Sequence, residues 1–154
     1  MMDAVRPRIR HILCGVDGSD PACRAAEQAA WLAGALKADL TFLAVAGEVQ
    51  SSAALDAYRQ AEGLGEEPIP LPTSEAESCL AAAQSRASAM GMDKTTRLIR
   101  TGNIAQTLLS VATEVGADTI VLGRHDHSDL RRSVVGSVSR KIASKSRLNV
   151  LQIW

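Results

Sequence analysis

A chain of 154 residues suits one buried core, and its 17 basic and 17 acidic side chains cancel, so no global field draws it to DNA or to an anionic membrane. With only two Trp, one Tyr and one Phe it offers no base-stacking nucleic-acid surface, and the 46% of hydrophobic residues must build a core from Ala, Leu, Val and Ile. The N-terminal MMDAVRPRIR lacks an apolar centre and no apolar run approaches ~18 residues, so neither a signal peptide nor a membrane span is expected.

Residues 10–16 read as a first strand, ending at Asp17-Gly18-Ser19-Asp20. Asp20 is placed to cap the following helix, with Pro21 preset at its first position. That helix runs to about Leu36, and Ala22, Ala25, Ala26, Ala29, Leu32, Ala33 and Leu36 form an apolar stripe at helical spacing. Residues 40–46 are nearly continuously apolar, as in a strand covered on both faces. Residues 47–72 carry acidic residues, glycines and prolines and read as a mobile connection with a short helix at about 53–61. Ser74 with Glu77 then spells a capping box that opens a helix to about Met90.

Residues 96–100 read as a third strand. Gly102 follows, and Asn103 with Gln106 makes a second cap-like pair. The next helix places Ile104, Leu108, Val111, Ala112 and Val115 on one face and stops at Gly116. Residues 119–122 are the fourth strand, 137–144 the last helix and 149–154 the fifth strand. Strand and helix alternate throughout, which predicts an α/β fold: one domain over residues 1–154, with a five-stranded parallel sheet and helices on both faces. Ligands bind such sheets beyond the carboxyl ends of the strands, near the topological switch point, and the Asp17, Gly102 and Gly123 loops all lie at carboxyl ends.

The most informative stretch is residues 121–139, VLGRHDHSDLRRSVVGSVS. A strand runs into a polar loop, and the loop into Gly136-Ser137-Val138-Ser139 at a helix start. The first N–H groups of a helix have no intrahelical partner and lie at the positive end of its dipole, so they can receive an anion. From Arg124 to Arg147 there are seven basic residues against Asp126 and Asp129, whereas seven acidic residues lie between Glu48 and Glu77 against Arg59 alone.

Gly123, the nine residues between Asp126 and Gly136, and Ser137 resemble the Gly-x2-Gly-x9-Gly-Ser/Thr nucleotide signature of the universal stress protein family. The resemblance extends through HILCGVDGSDPACRAAEQA, LTFLAVA, RTGNIAQTLLSVATEVGADTIVLG and GSVSRKIASKSRLNVLQI, nearly the whole chain. It implies a Rossmann-like sandwich of the adenine nucleotide alpha hydrolase-like type. The function it implies is that of a cytoplasmic stress-response regulator that binds ATP or another adenine nucleotide; Mg²⁺ beside the phosphates is a usual arrangement for that ion. The resemblance also implies a homodimer made through the terminal strand from Asn149 to Trp154, and an unidentified protein partner.

Carried over, the resemblance makes Asp17 a ribose or phosphate-side contact, with Val16 beside it, and puts Val45 near the adenine. Gly102 shapes the adjoining turn, while Gly123, Arg124, Gly136, Ser137, Val138 and Ser139 surround the phosphates. The residues themselves leave plainer readings open: Asp17 as a turn or cap residue, Gly136-Ser137 as an ordinary helix start, and Trp154 folded back on its own domain.

Asp126 departs from the signature, standing where the second glycine belongs. A carboxylate within ~4 Å of a phosphate charge costs about 4 kcal/mol at an effective dielectric of 20. Neutralisation by Arg124, Arg131 or Arg132, coordination of Mg²⁺, or a solvent-facing rotamer would relieve it. The alternative is a family member that binds no nucleotide and acts through dimerisation and protein contacts. His125-Asp126-His127 supplies only part of a coordination shell, so no metal site is expected there. Cys14, Cys23 and Cys79 lack CxxC or metal-ligand spacing and read as reduced, structural thiols. No base and nucleophile cluster together, and slow ATP hydrolysis is the most that the resemblance implies by way of catalysis.

Overall fold

A computed structural model describes residues 9–47, 70–124 and 135–154, with 135–137 described by their backbone alone. In chain order the elements are β1 (His11–Gly15), α1 (Asp20–Leu36), β2 (Asp39–Gly47), β3 (Leu71–Pro72), α2 (Thr73–Ala89), β4 (Thr96–Thr101), α3 (Ile104–Val115), β5 (Thr119–Gly123), α4 (Val135–Lys145) and β6 (Asn149–Ile153). All strand pairs are parallel. The order is β3-β2-β1-β5-β6, with β4 paired to β2. From β1 the chain builds one half of the sheet through β2 and β4 and the other through β5 and β6. The switch point therefore lies between β1 and β5.

Alternate strand residues feed two cores. Ile12, Cys14, Leu40, Phe42, Ala44 and Val121 face α1 and α2. Leu13, Leu43, Val45, Ile120 and Leu122 face α3 and α4, meeting Leu108, Val111, Val138 and Ile142. The inner face of α1 is all alanine (Ala22, Ala25, Ala26, Ala29, Ala30 and Ala33), which brings its backbone close to the sheet. Among the described residues Phe42 is the largest fully buried side chain, so few aromatics suffice because small-faced helices leave little volume to fill.

Several expectations are corrected. The sheet has six strands: Leu71 and Pro72 pair with Ala46 and Gly47, beyond Leu43, opposite which β1 ends at Gly15. A two-residue strand carries no periodicity, so no sequence pattern could mark it. Both ends of the 47–72 connection are therefore strand, and residues 48–69, including the short helix expected at 53–61, lie outside the described residues.

The capping box at Ser74 and Glu77 is not made. Pro72 stands at the N-cap, with no side-chain cap bond, and the fixed proline φ of −55° turns the chain into a helix that starts at Thr73. Leu36 is 47% exposed and leaves the α1 stripe, because the helix ends there in a left-handed Lys37. The last helix begins at Val135, two residues earlier than expected. The Asn103 cap holds, its side-chain oxygen accepting from the Gln106 N–H at 3.1 Å, and Gly116 ends α3 as expected.

Candidate functional site

The carboxyl ends of β1 and β5 are neighbours at the switch point, and the loops leaving them bring together the first and last parts of the expected site. Val16 continues β1, donating its N–H to the Leu43 carbonyl at 2.9 Å, and is buried. Asp17 follows, half-buried. Its Oδ1 accepts from the Ser19 N–H at 2.9 Å and from the Ser19 hydroxyl at 2.5 Å. The Ser19 hydroxyl oxygen in turn accepts from the Ala22 N–H at 3.2 Å. Ser19, not Asp20, is thus the cap of α1, and Asp20 is its first residue.

The turn reading of Asp17 is real, and it orients the carboxylate at the carboxyl edge. Replacing Ser19 by Ala removes the cap and the hydroxyl bond to Asp17, while the backbone N–H bond to its Oδ1 stays. The expected cost is about 1 kcal/mol, read as a melting temperature lowered by about 2–4 °C.

Gly123 ends β5, and the space beside its Cα is already filled. A Cβ placed there would lie 2.5 Å from the Pro21 carbonyl oxygen and 2.6 Å from the Ala22 N. The glycine lets the first turn of α1 sit directly on β5, so its absent side chain serves helix–sheet packing whatever it does for a ligand.

Arg124 continues from it, donating its N–H to the Ile153 carbonyl at 2.6 Å. Its guanidinium carbon lies 3.7 Å from the centroid of the Trp154 ring, a cation–π contact. The Trp154 carbonyl accepts from Arg24 Nε of α1 at 2.6 Å. The terminal tryptophan therefore folds back onto its own domain, while Leu151 and Trp154 stay exposed and β6 pairs with β5 alone among the described residues.

The other expected residues are spread around this edge. Val45 is buried near the end of β2, inside the α3 and α4 core. Gly102 turns the chain after β4 at a φ of +131°, a value that L side chains rarely adopt, with Thr107 Oγ1 3.2 Å from where a Cβ would stand. It lies beyond β2, two strands from β1. Gly136 and Ser137 are in the first turn of α4. Val138 is a core residue, and the Ser139 hydroxyl is buried and accepts from the Gln152 amide of β6. Both therefore turn toward the sheet.

His125, Asp126 and His127 lie outside the described residues, and no cluster of three or more metal-ligating side chains occurs among the described ones. No described helix is long and apolar enough to cross a membrane. His11 is at the opposite end of β1, its Nε2 2.7 Å from Thr41 Oγ1. Sequence reasoning missed Ser19, Arg24 and Gln152. The Asp-x-Ser spacing is a usable signal for the first. Arg24 meets Trp154 across 130 residues of chain and has no local signal.

The family model described as the universal stress protein family matches residues 8–153. No curated protein matches the sequence. Among solved structures, the universal stress protein UspA from Lactobacillus plantarum superposes with a TM-score of 0.69 at 22% identity, covering 97% of this chain and all (100%) of that one. A universal stress protein in complex with cAMP gives 0.67 at 21% identity, over 95% and 97% of the two chains. The universal stress protein from Archaeoglobus fulgidus in complex with dAMP gives 0.63 at 21%, over 94% and 98%.

Proposed function

Because the chain belongs to the universal stress protein family, we propose that it is a cytoplasmic stress-response regulator that binds an adenine nucleotide at the carboxyl edge between β1 and β5. The observation that carries this reading is the pairing of β1 with β5 at the switch point. It sets the Asp17 carboxylate and the Gly123-Arg124 loop side by side, with the loop leading into the first turn of α4. Asp17 accepts from ribose hydroxyls, and the N–H groups of Gly136 and Ser137 face the phosphates at the positive end of α4. Arg124 supplies charge once it leaves Trp154, and Mg²⁺ accompanies the phosphates. The complexes of related proteins with cAMP and dAMP support an adenine ligand.

The protein acts as a single domain and as a homodimer through β6, whose exposed Leu151 and Trp154 lie on an edge with one strand neighbour among the described residues. It passes its state to a protein partner through that dimer. It is a binder rather than an enzyme, with slow ATP hydrolysis as the upper limit of its chemistry.

Titration calorimetry with ATP, ADP, AMP and cAMP, with and without Mg²⁺, tests the reading. Saturable binding of at least one nucleotide is expected, and Asp17→Ala weakens it about tenfold, the equivalent of ~1.4 kcal/mol. Silence at millimolar concentrations of all four sinks it. Asp126 in place of the signature's second glycine favours a second reading, in which the protein binds no nucleotide and works by dimer and partner contacts alone.

A further inference from the structure

Cys23, in the first turns of α1, and Cys79, in the first half of α2, line one cavity of about 250 Å³. Val16, Gly18, Ala26 and Ala83 complete much of its wall. The two helices follow parallel strands on the same face of the sheet, so they lie side by side and run in the same direction.

Arg86 of α2 forms an ion pair with Glu27 of α1, and Glu27 first, with nearby Cys23, holds the Arg86 guanidinium above its ordinary range. A helical arginine reaches back toward its own N-terminus. Arg86, two turns beyond Cys79, therefore reaches the level of Cys23 from above, while Cys79 meets the same cavity from below. A Cβ on Gly18 would lie 2.9 Å from Cys79 Sγ, so that sulfur sits against the loop that leads into α1. Both cysteines are half-buried, whereas Cys14 is wholly buried in the sheet, and burial pushes its thiol far above its ordinary range.

We infer that Cys23 and Cys79 are a redox pair that a hydroperoxide closes to an intramolecular disulfide, tying α1 to α2 beside the β1 loop. The cavity, about 250 Å³, is large enough for a small hydroperoxide, and both cysteines line it. The Cys23 thiolate attacks one peroxide oxygen beside the Arg86 guanidinium, and the O–O bond breaks. The departing oxygen takes up a proton as water or an alcohol, leaving sulfenic acid on Cys23. The Cys79 thiolate then attacks the Cys23 sulfur, and the S–O bond breaks as the S–S bond forms. Hydroxide leaves as water with the proton that Cys79 gave up. The peroxide gains two electrons, and each sulfur loses one.

The test treats the whole protein with hydrogen peroxide, alkylates it in denaturant and maps the peptides by mass spectrometry. Two of the three cysteines are expected to resist alkylation, in a linked Cys23–Cys79 peptide from a single chain that dithiothreitol releases, while Cys14 alkylates fully. Cys23→Ser and Cys79→Ser, each confirmed folded by circular dichroism, both lose the linked peptide. Three alkylatable cysteines after peroxide, sulfinic acid at Cys23 with Cys79 still a thiol, or a bridge only between chains would each overturn the inference.

Discussion

Gly123→Ala is expected to destabilise the protein by about 3 kcal/mol, the upper end of what overpacking costs, and to lower its melting temperature by roughly 6–12 °C for a chain of this size. The added methyl would meet the Pro21 carbonyl group and the Ala22 N, which are backbone atoms and cannot rotate out of the way. Neither side can yield easily. The start of α1 is pinned by the Ser19 cap and the Asp17 turn, and β5 is held between β1 and β6. Gly34→Ala is the control, since a Cβ there meets nothing within 4 Å. In a helix interior it should add about 0.5–1 kcal/mol. Urea and thermal unfolding of the two variants decide the matter, and a Gly123→Ala protein as stable as the parent would disprove the close approach of α1 to β5. A functional consequence follows: loss of nucleotide binding in a Gly123 variant is a packing effect first, and is no measure of a phosphate contact.

Asp126→Gly is expected to tighten nucleotide binding by up to roughly a thousandfold, because a carboxylate facing a phosphate at ~4 Å costs about 4 kcal/mol at an effective dielectric of 20. The same calorimetry separates the two functional readings. If the parent protein binds and the variant binds more tightly, nucleotide binding is native and Asp126 tempers it. If binding appears only in the variant, the parent works through protein contacts alone. An affinity that does not change places the carboxylate away from the phosphates. Should Mg²⁺ be what Asp126 holds, the variant loses the Mg²⁺ dependence of the parent.

The elements with strong periodicity were legible in the chain. The apolar run of β2 and the face of α3 from Leu108 to Ala112 are where their residue patterns put them, because a continuous apolar run or a 3.6-residue repeat is a local property. Elements without a repeat were not legible. β3 is two residues long, and the α2 start depends on proline geometry at Pro72 rather than on the serine and glutamate that spell a cap. Among the site residues, Gly102 could be placed at a turn from sequence, and its φ of +131° agrees. Val138 and Ser139 look from sequence like residues of a phosphate loop. In the structure Val138 lies in the core and the Ser139 hydroxyl meets the Gln152 amide.

Sequence alone determined the α/β class, the parallel order of strand and helix, and the family, since these rest on local patterning and on motif spacing along the chain. Tertiary structure alone decided what the motif residues do. Gly123 lacks a side chain because α1 occupies that space, Arg124 stacks on Trp154 from the far end of the chain, and Cys23 and Cys79 share one cavity. Each of these contacts joins residues more than 25 positions apart, so no periodicity carries them. They exist only once two helices and a sheet have packed at the separation that their alanine faces allow.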